Sequence, residues 1–304
     1  DLYGHQIVAH LAPGEAGHNA TSAVDGHNVP VRHFGVVLDM PAWNQLADKL
    51  REPRVQRVID TIEPHDSVER YTGLGVEVIE GEARITSPWT VEVNGQSLSA
   101  RSIIIATGAR PLVPTIPGIE RIEPLTSDNL WRLREQPKRL LVLGGGPIGC
   151  ELAQAFQRLG ISVTLVEMTD RLLVREDAEA SEAVMASLRS DGVDLRLQHK
   201  ALRFDVVDGQ RQLVCENLQA HGEVVLPFDQ VLLALGRVAN VSGFGAEELQ
   251  LVVRPNGTLE VNEYLQTRFP NIYAVGDVTG PYQFTHASAH QAWYAAVNGL
   301  FSGC

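Results

Sequence analysis

The sequence has few cysteines, no excess of positive charge and no long apolar run, and each absence excludes a class of protein. Its three cysteines form no CxxC or CxxxxC pair and have no zinc-like spacing. A formal net charge of −12 leaves no basic face for nucleic acid. No apolar run approaches the roughly 18 residues that a membrane helix needs. We therefore expect a protein without a membrane segment, a zinc site or a nucleic-acid partner.

Length and composition set the remaining bounds. A chain of 304 residues suggests about two domains, and its 44% hydrophobic and 20% charged residues are ordinary for a globular protein. No signal peptide opens the chain, so the expected location is the cytoplasm, where cysteines stay reduced. The five histidines among the first 33 residues have no spacing typical of a metal site, so no metal is expected.

The most informative motif is a glycine loop between an apolar strand and a helix. The loop has the pattern GxGxxG, formed by Gly144, Gly146 and Gly149 after the strand at residues 139–143. The first glycine allows a tight turn, the second lets the backbone approach a pyrophosphate, and the third lets the helix pack closely on the strand. The helix N-terminus directs its free N–H groups at the phosphates. The pattern predicts that a dinucleotide binds at this loop.

Two residues near the loop carry further hypotheses. A second apolar strand ends on Glu167, which lies 18 residues beyond Gly149 (167 − 149), where a carboxylate can hold the hydroxyls of an adenosine ribose. Cys150 follows the loop at the helix N-terminus, a position that can lower the pKa of a thiol. The simpler interpretation of Cys150 is a small residue that packs beside the dinucleotide.

The rest of the chain places this loop in the middle of a longer pattern. Residues 76–95 alternate between apolar and polar side chains and end in the hairpin turn signal Asn94-Gly95. Beyond the loop, the pattern predicts a helix over 178–189 and a three-stranded meander over 201–226. A last helix is predicted over 286–301.

Four short motifs follow one another along the chain. In order, they are Ala106-Thr107-Gly108, Gly144-x-Gly146-x-x-Gly149-x-Glu151, Leu235-Gly236-Arg237-x-x-Asn240 and Ile272-Tyr-Ala-Val-Gly276-Asp277. Together they resemble the motifs of the FAD-dependent pyridine nucleotide-disulfide oxidoreductases, which include lipoamide dehydrogenase, glutathione reductase and mercuric reductase. The resemblance covers roughly residues 70–304.

This resemblance implies an α/β fold with two Rossmann-like, three-layer domains. An NAD(H)-binding domain, residues 126–240, would be inserted into the remnant of an FAD-binding domain formed by residues 1–125 and 241–304. The strand that ends at Gly108 comes before the insertion, and the strand that ends at Gly276 comes after it.

On the NAD(H) side, the resemblance implies that the three loop glycines bind the pyrophosphate. Glu167 would bind the adenosine ribose and favour NADH, because its charge would repel the 2′-phosphate of NADPH. Gly236 and Arg237 would line the same cleft. Glu151, on the helix beside the nicotinamide, would lie near the flavin and is the candidate for a catalytic contact.

On the FAD side, the resemblance implies a second set of contacts. Asp277, next to Gly276, would hydrogen-bond the ribityl chain of FAD. The helix that starts near His286 would face the pyrimidine end of the flavin. A further motif would close over the FAD, and its residues are Ala106, Thr107 and Gly108.

Three parts of the family pattern are not found in this sequence. They are the N-terminal glycine fingerprint for the ADP half of FAD, the Cys-x4-Cys redox pair with its lysine, and the C-terminal dimerisation domain with its His–Glu pair. The simplest expectation is a piece of a longer flavoenzyme, and a naturally degenerate member is the alternative. Whether this chain alone binds FAD is left open.

For the whole protein, the resemblance implies hydride transfer from NADH to FAD and onward to a disulfide or another small-molecule acceptor, in a homodimer. This chain alone is expected to bind NAD(H) and to lack turnover as a disulfide reductase. Two other functions remain possible on the sequence: a cysteine-independent NADH:acceptor flavoreductase and a non-catalytic NAD-binding module.

Overall fold

The parts of the chain that the computed structural model describes are residues 22–24, 27–29, 59–65 and 67–301. Before residue 59 the described elements are strands β1 (Ser22–Val24) and β2 (His27–Val29), which pair as an antiparallel hairpin. The expectations for most of residues 1–58, and for Cys304, lie outside the described residues.

From residue 60 onward the chain forms two compact units. We call Leu112–Gly236 the central unit and Asp60–Pro111 with residues 237–301 the flanking unit, after their order along the chain. The chain therefore leaves the flanking unit after Pro111, forms the central unit and returns to the flanking unit at Arg237.

The helices and strands of the two units have the following bounds. The helices are α1 (Val68–Gly73), α2 (Pro147–Arg158), α3 (Ala178–Ser190) and α4 (Thr285–Phe301). The strands are β3 (Arg84–Ser87), β4 (Thr90–Val93), β5 (Gln96–Ser99), β6 (Ile103–Ile105), β7 (Ala109–Pro111), β8 (Arg139–Leu143), β9 (Ser162–Val166), β10 (Asp194–Arg196), β11 (His199–Val207), β12 (Gln210–Asn217), β13 (Gly222–Phe228), β14 (Gln230–Leu233), β15 (Arg237–Ala239) and β16 (Ile272–Ala274). The helices expected over 178–189 and 286–301 are both present.

The central unit is built on a four-stranded parallel sheet in the order β10-β9-β8-β14. Both faces of the sheet are covered, so β8 is an unbroken apolar run after Arg139. Successive side chains of a strand point to opposite faces. Leu140 and Val142 therefore join the core that α2 and α3 complete, while Leu141 and Leu143 join the core that β11, β12 and β13 complete. The unit has three layers: helices, parallel sheet and antiparallel sheet.

Strands β11, β12 and β13 form the antiparallel meander that the sequence predicts. A tight turn at Asp208 (φ 51°) and Gly209 (φ 77°) joins the first two strands. The segment that enters the central unit packs on the meander, because the N–H of Phe204 donates to the carbonyl of Pro117 at 2.8 Å. Gly118 has a φ of 85°, and a Cβ at this position would lie closer than 3.0 Å to the Phe204 carbonyl oxygen. Only glycine fits there.

The flanking unit contains a parallel strand pair (β6 with β16), an antiparallel pair (β7 with β15) and the antiparallel sheet β3-β4-β5. The turn between β4 and β5 is the predicted hairpin at Asn94 (φ 50°) and Gly95 (φ 76°). On β16, Ile272 joins one apolar core, whereas the next residue, Tyr273, packs in a second core with Ala295 of α4.

The predicted α/β class is confirmed, with parallel strand pairing in both units. Of the helices that the structure describes, none combines the length and the apolar character needed to cross a bilayer. Within the same residues, no group of three or more His, Cys, Asp or Glu side chains is placed to hold a metal ion.

Candidate nucleotide site

The glycine loop joins β8 to α2 in the central unit. Gly144 has a φ of 110°, and a Cβ on it would lie closer than 3.0 Å to the Ala234 carbonyl oxygen. Its N–H donates to the Val166 carbonyl at 2.9 Å. A Cβ on Gly149 would overlap the Gly144 carbonyl oxygen. The chain therefore turns sharply after β8, and the first turn of α2 packs directly against that turn.

The loop is open at Gly146. This residue is the N-cap of α2, with φ −75° and ψ −179°, and no heavy atom lies within 4 Å of the position that its Cβ would take. Pro147 at the first helical position has no N–H, and the first turn of α2 contains no acidic residue. No side chain of that first turn therefore opposes the partial positive charge of the helix N-terminus, which favours a phosphate.

Glu167 lies beside the loop, directly after β9. Its Oε2 accepts a hydrogen bond from the Gly145 N–H at 2.7 Å. Its Oε1 accepts hydrogen bonds from the N–H and the hydroxyl of Thr169, both at 2.9 Å. The Gly145 carbonyl in turn accepts from the Leu173 N–H at 2.9 Å. The structure therefore brings the expected ribose-binding carboxylate into direct contact with the expected phosphate loop.

Cys150 is buried on α2, and its thiol donates to the Gly145 carbonyl at 3.4 Å. A helix N-terminus lowers the pKa of a thiol, but burial acts in the opposite direction. Burial, followed by the negative charges of Glu151 and Glu167, raises the pKa of the Cys150 thiol to about 12. Burial also raises the pKa of the Cys215 thiol to about 12. Cys150 and Cys215 therefore act as packing residues, and their thiols are not nucleophiles.

Neither buried thiol is expected to react with Ellman's reagent in the folded protein at pH 8. The experiment uses the Cys304→Ser variant, in which Cys150 and Cys215 are the two remaining cysteines (3 − 1 = 2). The folded variant should show no rapid reaction, because the thiols are protonated and shielded, and both should react after unfolding in guanidinium. Rapid reaction of one thiol in the folded variant would contradict the assigned burial.

Glu151 and Gly236 are the other candidate residues of the central unit. Glu151 is an exposed residue of α2, yet desolvation by the protein atoms around its carboxyl raises its pKa above the usual range. Gly236 ends the unit with a φ of 119°, and its carbonyl accepts a hydrogen bond from the Leu112 N–H at 2.9 Å. The roles expected for Glu151 and Gly236 stay predictions.

In the flanking unit, Arg237 forms an ion pair with Asp277. The Arg237 Nε lies 3.3 Å from the Asp277 Oδ2, and each side chain is 19% exposed. The Arg237 Nη2 also donates to the Ala109 carbonyl at 2.5 Å. The sequence assigned Arg237 to the NAD(H) side and Asp277 to the FAD side, whereas the structure makes them partners within one unit.

Asn240 connects the first motif to the third. Its carbonyl accepts a hydrogen bond from the Thr107 hydroxyl at 2.7 Å, and its Nδ2 donates to the Thr107 carbonyl at 2.9 Å. Its N–H donates to the carbonyl of Gly108, which has a φ of 65°. Ala106 and Thr107 remain exposed just after β6. The two motifs therefore form one connected structure at the end of this strand.

Helix α4 holds the Gly276-Asp277 turn through a glutamine. The Gly276 N–H donates to the Oε1 of Gln291 at 2.6 Å, and the Thr279 hydroxyl donates to the Gly276 carbonyl at 2.9 Å. Gly276 has a φ of 78°, which favours glycine. His286 is the second residue of α4 and is exposed. The candidate FAD residue Gly276 is thus fixed by side chains outside the four motifs.

The sequence profile of one protein family matches most of the chain. The family is described as "Pyridine nucleotide-disulphide oxidoreductase", and the match covers residues 11–296. This chain belongs to the pyridine nucleotide-disulphide oxidoreductase family.

Relatives within the pyridine nucleotide-disulphide oxidoreductase family are longer than this chain. Mercuric reductase from Staphylococcus aureus is 38% identical over 236 residues, which are 77% of this chain and 42% of that protein. Glutathione reductase from Burkholderia cepacia is 37% identical over 228 residues, 75% of this chain and 49% of that protein. The structure of the HOCl-induced flavoprotein disulfide reductase RclA from Escherichia coli matches with a TM-score of 0.74 at 29% identity, and covers 87% of this chain and 61% of that one. The chain spans about half the length of these curated relatives.

Membership of this oxidoreductase family confirms the resemblance that the four motifs indicate, and the Rossmann-like fold agrees with the similarity to a flavoprotein disulfide reductase. Two residues that hold motif residues, Thr169 and Gln291, were not identified from the sequence. They lie in no motif, and nothing in the sequence marks them. Asn240 was identified as the last position of the third motif, but its contacts with the first motif were not predicted.

Proposed function

We propose that the whole protein is an NADH-dependent flavoenzyme that passes hydride from NADH to FAD and then electrons to a disulfide or another small-molecule acceptor. The central unit would bind NAD(H), and the flanking unit would form part of the FAD site. The observation that carries this proposal is the open N-terminus of α2 at Gly146, with the Glu167 carboxylate hydrogen-bonded to the neighbouring Gly145. Family membership favours this function over a cysteine-independent flavoreductase and over a non-catalytic module.

The residues of the central unit would bind and orient the nucleotide. Gly146 leaves room for the pyrophosphate, and the positive end of α2 would stabilise its charge. Gly144 and Gly149 would act indirectly, because they allow the sharp turn and the close packing of α2. Glu167 would accept hydrogen bonds from the ribose hydroxyls. Its charge would repel a 2′-phosphate at about 4 Å by roughly 1–4 kcal/mol, the range between bulk water and a protein surface.

In the flanking unit, Asp277 is the residue that would bind the flavin. Its carboxylate lies beside the Arg237 guanidinium, which holds it in one orientation, and from that position it would accept a hydrogen bond from the ribityl chain. Gly276 would allow the backbone turn that precedes Asp277. Thr107 and His286 would lie at the edges of the FAD site. When bound, NADH and FAD supply the hydride chemistry, and the protein supplies their positions.

We also propose that the whole protein works in the cytoplasm as a homodimer, as the resemblance implies, without a nucleic-acid partner. The net charge of −12 supports the last point, because phosphate backbones bind basic surfaces. The free thiols of Cys150 and Cys215 agree with a reducing compartment.

Isothermal titration of this chain with NADH and NADPH tests the role of the central unit. NADH is expected to bind more tightly than NADPH by about tenfold or more, which corresponds to about 1.4 kcal/mol. Glu167→Gln removes the charge and keeps the side-chain shape, so it should narrow this difference mainly by improving NADPH binding. Glu182→Gln, at an exposed position of α3, is the matched control for the loss of one negative charge.

The outcomes separate two claims. If neither nucleotide binds to the folded chain, the NAD(H) role of the central unit is wrong. If NADH and NADPH bind equally well, the nucleotide role holds but the role given to Glu167 is wrong.

A further inference from the structure

The Glu167 carboxylate is fixed by a residue that belongs to no motif. Thr169 contributes two donors to the same oxygen, because its N–H and its hydroxyl both lie 2.9 Å from the Glu167 Oε1. The other oxygen, Oε2, is held by the Gly145 N–H at 2.7 Å. Thr169 and the glycine loop therefore hold the carboxylate from its two ends.

We propose that Thr169 is a positioning residue, which sets the orientation of the Glu167 carboxylate and thereby the preference for NADH over NADPH. This inference rests on the proposed binding of NAD(H) by the central unit. A glutamate side chain has three torsions and loses much rotamer freedom when it is held. A carboxylate discriminates between a ribose hydroxyl and a 2′-phosphate only if it stays in one place, and the Thr169 hydroxyl is the side-chain donor that keeps it there.

The hydroxyl of Thr169 has two possible acceptors. It carries one proton and lies 2.8 Å from the Arg171 carbonyl oxygen as well as 2.9 Å from the Glu167 Oε1. The charged carboxylate is the stronger acceptor, so the hydroxyl donates to Glu167. Oε2 accepts from the Gly145 N–H and has a second lone pair, so a ribose hydroxyl can donate to Oε2 while Thr169 keeps its bond to Oε1. Thr169 thus holds the carboxylate and still leaves it able to accept from the ribose.

The same segment also fixes the glycine loop. The Leu173 N–H donates to the Gly145 carbonyl at 2.9 Å, while the Gly145 N–H donates to Glu167. The side chain of Leu172 is fully buried, and a Cβ on Gly145 would lie 2.5 Å from its Cδ2. Residues 169–173 therefore contact both the expected ribose site and the expected phosphate loop. Loss of the Thr169 hydroxyl alone leaves the contacts of Leu172 and Leu173 with the loop in place.

The test compares Thr169→Val, which removes the hydroxyl at nearly constant shape, with Thr169→Ser, which keeps it. Isothermal titration gives the ratio of the NADPH and NADH dissociation constants for each. Thr169→Val should lower that ratio by about tenfold, which is the loss expected for one hydrogen bond to a charged group. Thr169→Ser should keep the ratio within about twofold of that of the unaltered chain. A purely structural role for Thr169 would change the affinity for both nucleotides alike and leave the ratio unaltered.

A double variant and a backup variant complete the design. In the Glu167→Gln background, Thr169→Val should change the ratio by less than about twofold, because it acts through the charge that is already gone. If Thr169→Val does not fold, Thr169→Ala removes the same hydroxyl. If the unaltered chain prefers NADH and both hydroxyl-free variants keep that preference, the inference about Thr169 is overturned while the proposed function stands. If the unaltered chain binds neither nucleotide, both are overturned.

Discussion

Gly149→Ala is expected to destabilise the central unit by about 3 kcal/mol and to abolish NADH binding. The added Cβ would overlap the Gly144 carbonyl oxygen and would lie 3.3 Å from the Ala234 Cβ. The first neighbour is backbone, held in place by the hydrogen bond from the Gly144 N–H to the Val166 carbonyl, so no side-chain rotation relieves the clash. Urea unfolding followed by circular dichroism measures the stability, and titration with NADH measures the binding.

Gly146→Ala is the matched control, three positions earlier in the same loop. Gly146 has ordinary backbone angles, and no atom lies within 4 Å of its Cβ position, so the stability should change by less than about 0.5 kcal/mol. NADH binding should still weaken, because the methyl group would occupy the path of the pyrophosphate. A Gly149→Ala protein as stable as the unaltered chain would contradict the close contact. Unchanged NADH affinity in Gly146→Ala would contradict the phosphate path.

Gly118→Ala is expected to destabilise the central unit by about 4 kcal/mol, without touching the nucleotide site. Two costs add at this position. A φ of 85° is unfavourable for alanine, and the Cβ would overlap the Phe204 carbonyl oxygen. Because Phe204 is itself fixed by its N–H bond to Pro117, the meander and the entering segment would have to separate. Urea unfolding of the variant measures the loss.

Gly209→Ala separates the two costs. Gly209 has a φ of 77°, close to that of Gly118, but nothing lies within 4 Å of its Cβ position. The loss at Gly209 should therefore be about 1–2 kcal/mol, the cost of the left-handed backbone alone. Equal losses at the two glycines would show that the contact with Phe204 adds nothing.

Local patterns predicted the parts of the fold that depend on neighbours in sequence. The Asn94-Gly95 turn, the meander and the glycine loop each follow from a short run of residues whose backbone preferences agree. These features required no knowledge of distant parts of the chain.

Contacts between distant residues were not predicted, because periodicity says nothing about which elements meet. The ion pair of Arg237 and Asp277 joins residues that the motifs assign to different nucleotides. Arg237 begins β15, which pairs with β7, whereas Asp277 follows β16, which pairs with β6. Gln291 reaches Gly276 from a helix turn that carries no motif. From the sequence, Gly118 indicates only a turn after Pro117. The contact that requires glycine there is with the Phe204 carbonyl oxygen, which is 86 residues later in the chain (204 − 118).

The layered core of the central unit separates residues that are adjacent in the chain. Leu140 and Leu141 are neighbours on β8, yet one packs among helices and the other among the strands of the meander. Leu141 shares its surroundings with Phe228, which is 87 positions away (228 − 141). The parallel sheet thus acts as a partition: a defect in the packing on one side has no direct side-chain route to the other. The helix layer supplies α2 and its N-terminus, so we expect substitutions in the meander to alter the nucleotide site less than substitutions among the helices.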